Sequence, residues 1–352
     1  MTATQKIEFQ RLLLHWYREN RRQLPWHLGE GLGESHAYGV WVSELMLQQT
    51  QVATVIPFWH RWMTRFPNVV TLAQADEADV LSQWQGLGYY RRARALHSGA
   101  KMIVEKGWPQ SSQEWKKLPG IGAYTAGAIA SISLREVVEL VDGNVERVYS
   151  RLVEDRAINP ILNRNAWTWA KEHLSTSHPG DWNQALMELG ATICKPRDPA
   201  CITCPVQQFC VAFAANTILE LPTPTPRKPV VELDHIVFVP VSQGKFGIHQ
   251  IPPGQWWEGM WQFPRCPAES TELLLSSLGP GVVDPLIEFK HTVTHHRIKI
   301  SAYMFACKQQ AANLRWVSES ELGNHALPAP QRRIGDAVIR RMAERNLFDS
   351  PA

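Results

Sequence analysis

Cys194, Cys201, Cys204 and Cys210 are separated by six, two and five residues, while Cys266 and Cys307 lie far from them. Four thiolates folded back within one short loop can surround a single metal centre. All-sulfur tetrahedral ligation means zinc or an iron–sulfur cluster. Zinc sites usually arrange their ligands as two close pairs. Here only Cys201 and Cys204 make such a pair, so the wider flanking gaps favour a four-iron cluster, although spacing alone leaves the metal open. The rival readings are a coincidental cluster and a pair of disulfides. Disulfides fit poorly with a chain whose charged start, Met1 to Glu19, has no apolar export segment.

Two carboxylates and one turn also carry chemistry. Glu44 lies in Trp41-Val-Ser-Glu-Leu-Met-Leu-Gln-Gln-Thr-Gln-Val52, with Val40 and Gln48 as its neighbours four residues away, so no local cation neutralises it. Burial of such a carboxylate raises its pKa and lets it hold a proton near neutral pH. The plainer reading is a glutamate on a wet stripe shared with Gln48 and Gln51. Asp142 follows the apolar run Val137–Val141 and precedes Gly-Asn-Val-Glu-Arg-Val, where it can cap a helix. A carboxylate fixed in that way can also sit beside developing positive charge. Leu118-Pro-Gly-Ile-Gly122 joins two helical stretches, and Gly120 and Gly122 leave the backbone uncovered. N–H groups at the start of the following helix suit a phosphate oxygen, and Lys116 and Lys117 stand beside them. Taken alone, this turn is also an ordinary glycine-rich link between helices.

The elements that must position these groups divide the chain. Its 352 residues suffice for two domains, and its 44% hydrophobic and 20% charged content is that of a soluble globular protein. No apolar run is long enough to span a bilayer. A net charge of +3 does not announce a nucleic-acid partner, so that argument rests on local clusters: Arg21 with Arg22, Arg91, Arg92 and Arg94, and Lys116 with Lys117. Up to about residue 215 the pattern is helical: Phe9, Leu12, Leu13 and Trp16 recur at helical spacing, as do Val145, Val148 and Leu152. Residues 38–56 read as one nearly all-apolar buried helix, with Trp41, Trp59, Trp62 and Trp84 as core fillers. Prolines crowd Leu221 to Pro229, which reads as an extended spacer. Beyond it come short strands, His235–Val239 and His296–Phe305, and a closing helix from about Gln331 to Asn346. The expected domains are therefore 1–220 all-α, a linker at 221–230, and 231–352 mixed α+β.

Leu118-Pro-Gly-Ile-Gly-Ala-Tyr-Thr-Ala-Gly127, the aspartate of Val141-Asp-Gly-Asn-Val145 and the cysteine loop occur in that order. Together they resemble the helix–hairpin–helix DNA glycosylases that carry a C-terminal cluster loop, over about residues 8–215. The stretch Trp41–Val52, with Gly86-Leu-Gly-Tyr-Tyr-Arg91 and Ala185-Leu-Met-Glu-Leu-Gly190, is similar to the adenine-specific, MutY-type branch. That resemblance implies one 4Fe-4S cluster on the four cysteines, holding a basic loop with Lys195 and Arg197 against the DNA backbone. It makes Glu44 the acid that protonates adenine and Asp142 the carboxylate that stabilises the cationic sugar. Tyr124 and Asn144 would position water or substrate, Gln49 and Tyr89 would wedge into the base stack, and Trp26 and Glu188 would line the adenine pocket. Branches with strong lyase activity carry lysine where this chain has Tyr124; a phenol leaves no amine to form a Schiff base. Gly254-Gln-Trp-Trp-Glu-Gly-Met-Trp-Gln-Phe-Pro264 looks like the Nudix-type domain of the same branch, without a glutamate-rich hydrolase helix. Its lesion-reading loop would match Val293, Thr294 and His295, with valine where the usual pattern has an aromatic residue. The glycine-rich segment Leu28 to Ser35 looks like an insertion at the pocket rim.

These features imply a monofunctional enzyme in base excision repair. It would remove adenine opposite 8-oxoguanine, and opposite guanine, from double-stranded DNA, acting as a monomer in the cytoplasm or on a bacterial nucleoid. Two rivals remain at this stage. One is an oxidised-pyrimidine glycosylase with lyase activity. The other is a catalytically silent DNA-damage binder, for which keeping both Glu44 and Asp142 would serve no purpose.

Overall fold

Thr2 and Gln5 close a capping box that opens the first helix, α1 (Ala3–Asn20). Its face Phe9, Leu13 and Tyr17, at four-residue spacing, is buried. The computed structural model describes residues 1–27, 33–225 and 229–348. Most of the proposed Leu28–Ser35 insertion, and part of the proline-rich spacer, lie outside the described residues.

The expected single helix over 38–56 is two helices, α2 (Glu34–Leu47) and α3 (Val52–Arg65). Every residue of α2 from Ala37 to Met46 is buried, so its apolar character runs all round. It ends because the Arg92 guanidinium takes its last carbonyls: Nη1 donates to Leu45 O at 2.8 Å and Met46 O at 2.9 Å. Gln49 then adopts a left-handed backbone (φ 59°). Periodicity cannot show a helix stop supplied from a distant side chain.

The helices continue as α4 (Val69–Gln74), α5 (Glu77–Gln83), α6 (Arg91–Lys106) and α7 (Ser112–Trp115). They are followed by α8 (Ala123–Ser133), α9 (Gly143–Val153), α10 (Ile161–His173), α11 (Pro179–Thr192) and α12 (Val211–Ala214). α2 packs on α8; α11 packs on α1, α8 and α9; α12 packs on α9. One core gathers Phe9, Leu13, Val145, Val148, Trp169 and Trp182, with Cys194, Cys204 and Cys210 packed against it. Phe9 meets Trp182 at 5.5 Å and Phe209 of the cysteine loop at 5.6 Å, both edge-on. Trp41, Trp62 and Trp84 fill cores as expected. Trp59 does not: it is half-buried, and its ring lies 6.3 Å from that of Trp26.

The chain divides into two compact units, Met1–Ala75 with Arg91–Pro226, and Asp76–Tyr90 with Arg227–Ala352. The division therefore joins Asp76–Tyr90, expected within 1–220, to the second unit, where Tyr90 lies in the field of Arg332.

The second unit is built on β1 (Val231–Ser242), β2 (Lys245–Gln250), β3 (Trp261–Gln262), β4 (Arg265–Pro267), β5 (Gly281–Val293), β6 (His296–Cys307) and β7 (Arg315–Val317). The main path runs β3-β2-β1-β6-β5, with β1 and β6 parallel and β5 and β6 antiparallel. Helices α13 (Thr271–Leu278), α14 (Glu319–Asn324) and α15 (Ala329–Phe348) complete it. Val237, Val239, Ile298 and Ile300 pack with Ile334 and Val338 of α15 in a separate core. The β5–β6 hairpin pairs Val293 with His296, which leaves Thr294 and His295 at its turn. No described helix is long and apolar enough to cross a membrane.

Candidate active site and cysteine loop

α2 carries Glu44 into the helical core, where the residue is 7% exposed. Its Oε2 is buried and has no hydrogen-bond partner among the described residues. Loss of water penalises the charged form and pushes Glu44 up to about 7; the Tyr124 hydroxyl offsets part of this and the Asp142 charge adds to it.

Asp142 is the N-cap of α9. Its Oδ1 accepts from the Val145 N–H at 2.7 Å, and its Oδ2 accepts from Asn144 Nδ2 at 2.8 Å. Burial raises its pKa, while those donors and the Arg147 charge pull it back. Tyr124, near the start of α8, donates its hydroxyl to Met187 Sδ at 3.4 Å. Burial holds its phenol well above the ordinary value, and the charges of Glu44 and Asp142 add to that. Glu44, Tyr124 and Asp142 thus come from three separate stretches into one electrostatic neighbourhood, with Asn144 bonded to the aspartate.

Two arginines on one face of α9 were not singled out from the sequence. Arg147 donates from Nη2 to Asn144 Oδ1 at 2.9 Å and to Gly190 O at 2.8 Å, and from Nε to Cys194 O at 2.8 Å. Arg151, 1% exposed, donates from Nη1 to Lys195 O at 2.7 Å and to Cys194 Sγ at 3.3 Å. Their four-residue spacing, which puts both on one helix face beside the buried Val148, was the available signal. Gly190 permits the approach: a Cβ there would lie 2.6 Å from Asn144 Cβ.

Cys194, Cys201, Cys204 and Cys210 are free thiols lining one pocket of about 380 Å³, walled by Val148, Leu152 and Arg151 among others. Burial pushes Cys204 up to about 12, and the other three thiols add to that. Four soft donors around one largely apolar pocket, with an arginine against Cys194, suit a thiolate-bound cluster. Lys195 and Arg197 of the same loop are exposed.

At the hairpin, Gly120 has φ 74°, and a Cβ there would lie 2.7 Å from Ala95 Cβ. Gly122 caps α8 without a side-chain bond, so the first N–H groups of that helix stay open. Lys116 and Lys117 are exposed beside them, and Arg91, Arg94 and Gly120 line a surface pocket of about 780 Å³. Arg92, read from sequence as part of this basic cluster, is instead buried at 4% exposure, because it serves the carbonyls of α2. Gln49 is exposed, and Tyr89, in the other unit, is 46% exposed with φ 47°.

Trp26 (5% exposed) and Glu188 (7%) are both buried. Arg22 grips Glu188 with two bonds of 2.7 Å, so this arginine is engaged in an ion pair. His27, also not singled out from the sequence, has a buried Nδ1 without a partner among the described residues. Burial lowers its pKa to about 4, against the Glu188 charge. In the second unit Thr294 (φ 55°) is exposed at the hairpin turn, its Oγ1 3.4 Å from His295 Nδ1.

Residues 42–170 match the family described as HhH-GPD superfamily base excision DNA repair protein, and residues 236–337 match the NUDIX domain. An adenine DNA glycosylase of Mus musculus is 34% identical over 93% of this chain and 77% of its own length. That of Arabidopsis thaliana is 41% identical over 74% of this chain, which spans 47% of that relative. A thermostable thymine-DNA glycosylase structure aligns with a TM-score of 0.53 at 20% identity, covering 60% of this chain and 98% of that one; this shows the helical fold alone. With both matches on one chain and the mouse relative covered over most of its length, this chain belongs to the adenine DNA glycosylase family.

Proposed function

We propose that this protein hydrolyses the N-glycosidic bond of adenine mispaired with 8-oxoguanine, and with guanine, in double-stranded DNA. The observation that carries the reading is Glu44: a buried carboxyl with one oxygen unpartnered among the described residues, held protonated near neutral pH by burial and by the charge of Asp142.

The duplex must first yield the base, because the glycosidic bond is out of reach inside the stack. Exposed Gln49 and Tyr89 fill the space it leaves, while the open start of α8 and Lys116 hold a phosphate. Trp26 and Glu188 line the pocket that receives adenine. Glu44 delivers its proton to a ring nitrogen, which turns adenine into a neutral leaving group. As the C–N bond breaks, the sugar becomes oxocarbenium-like, and the Asp142 carboxylate, held by Val145 and Asn144, stabilises it. Water positioned by Tyr124 and Asn144 adds to the sugar and gives up its proton to the Glu44 carboxylate, leaving an abasic site. Tyr124 offers no amine, so strand cleavage does not follow. Cys194, Cys201, Cys204 and Cys210 would hold a 4Fe-4S cluster, which supplies a rigid fastening for the loop bearing Lys195 and Arg197. Thr294 and His295 would read the edge of 8-oxoguanine.

The test is single-turnover release on end-labelled duplexes with adenine opposite 8-oxoguanine, guanine or thymine, developed with alkali. Alkali-dependent breaks at adenine opposite 8-oxoguanine, with thymine-paired adenine spared, are expected. Asp142→Asn should abolish release and keep lesion binding, since asparagine also caps a helix. Normal release by that variant would sink the assignment.

A further inference from the structure

The last carbonyls of an α-helix have no partner within the helix. The common remedy is a glycine in the left-handed region just past the end. At the end of α2 the left-handed residue is Gln49, which is exposed, and the carbonyls are served by a side chain from another helix. Arg92 Nη1 donates to Leu45 O at 2.8 Å, to Met46 O at 2.9 Å and to Gln48 O. Its Nη2 reaches Thr50 Oγ1 at 3.4 Å. One guanidinium therefore fastens the residue before Gln49 and the residue after it. At 4% exposure Arg92 is not placed to meet a phosphate itself. The planar fork is what the geometry uses: a lysine ammonium is a single point charge and cannot bridge the helix end and Thr50 together.

We infer that Arg92 is the positioning residue for Gln49, holding the α2–α3 turn in the left-handed conformation that projects this side chain into the base stack. The inference rests on the reading of Gln49 as a wedge. It adds that the wedge is preorganised by a buried cation rather than ordered on binding. The rest of the turn is consistent with this: Gln48 Nε2 is tied to Thr125 Oγ1 at 3.5 Å, so Gln49 is the side chain between two anchored neighbours.

A double-mutant cycle tests it, using the full, cluster-loaded chain with Arg92→Lys, Gln49→Ala and both together. The readouts are the rise in fluorescence of 2-aminopurine at the adenine position, single-turnover excision, and duplex affinity. Arg92→Lys should lower unstacking and excision about tenfold, with affinity changed by less than about twofold. The double variant should be no worse than Gln49→Ala. Losses that add, or full unstacking by Arg92→Lys, would overturn the inference and leave the wedge reading intact. Full unstacking by Gln49→Ala would remove the wedge reading and the inference with it. Arg92→Met is a harsher variant; if it does not fold, Arg92→Lys alone carries the cycle.

Discussion

A carboxyl proposed to release a proton near neutrality needs a dry setting, and Glu44, 7% exposed, has one. Rate should follow the protonated form, falling about tenfold per pH unit above pH 7, as read in single-turnover profiles. The same burial bears on stability. Below pH 4.5 the group is protonated whether folded or not; between 4.5 and about 7 only the folded chain keeps the proton. Stability conferred by that proton is thus lost as pH rises, by up to roughly 3 kcal/mol, and levels off above pH 7. Glu44→Gln should abolish excision and melt higher than the parent at pH 9, with no such gain at pH 4. A melting temperature that drops equally at both values would contradict the buried-acid reading. The burial of Glu44 was legible in the sequence because the run on either side of it is mostly apolar. Arg92 was not, because an arginine counted in a basic stretch looks like surface charge until its acceptors are known; Arg147 was not, because a lone arginine on a helix shows nothing of the carbonyls it will meet.

At the scale of elements, α9 does two jobs. Its first residues fix Asp142 through Val145 and Asn144, and its next two turns present Arg147 and Arg151 to the cysteine loop. Gly190 of α11 is the contact point, and adding a methyl would drive α11 away from Asn144. Gly190→Ala should cost about 1–3 kcal/mol of stability and lower excision more than binding, measured by thermal melts and paired rate and affinity assays. Cys204→Ser should reduce the iron bound per chain and weaken duplex affinity, since Lys195 and Arg197 ride on the same loop. Iron content and affinity unchanged from the parent would rule out a cluster role for that thiol. The cap at Asp142 and the hairpin before α8 were readable locally, from residue types at fixed offsets. The break between α2 and α3 was not, because its cause sits more than forty residues away.

Across the whole molecule, each unit has a core of its own, so residues of the second unit can be changed without unpacking the core around Asp142. Thr294→Ala with His295→Ala should erase the preference for 8-oxoguanine over guanine. The rate on adenine opposite guanine should stay within about twofold, since neither residue belongs to the first core. Equal losses on both duplexes would mean that this turn does not read the lesion. The change from helical to strand patterning was plain at the proline-rich spacer. The membership of Asp76–Tyr90 was not, because three-dimensional neighbours leave no trace in local composition.

Gln49, Tyr89 and Thr294 all hold their backbones at positive φ, where glycine would sit more comfortably by about 1 kcal/mol. A library evolved for heat resistance alone should therefore drift toward glycine at all three sites. Its winners would be sturdier proteins stripped of the side chains proposed to enter the duplex and read the damaged base.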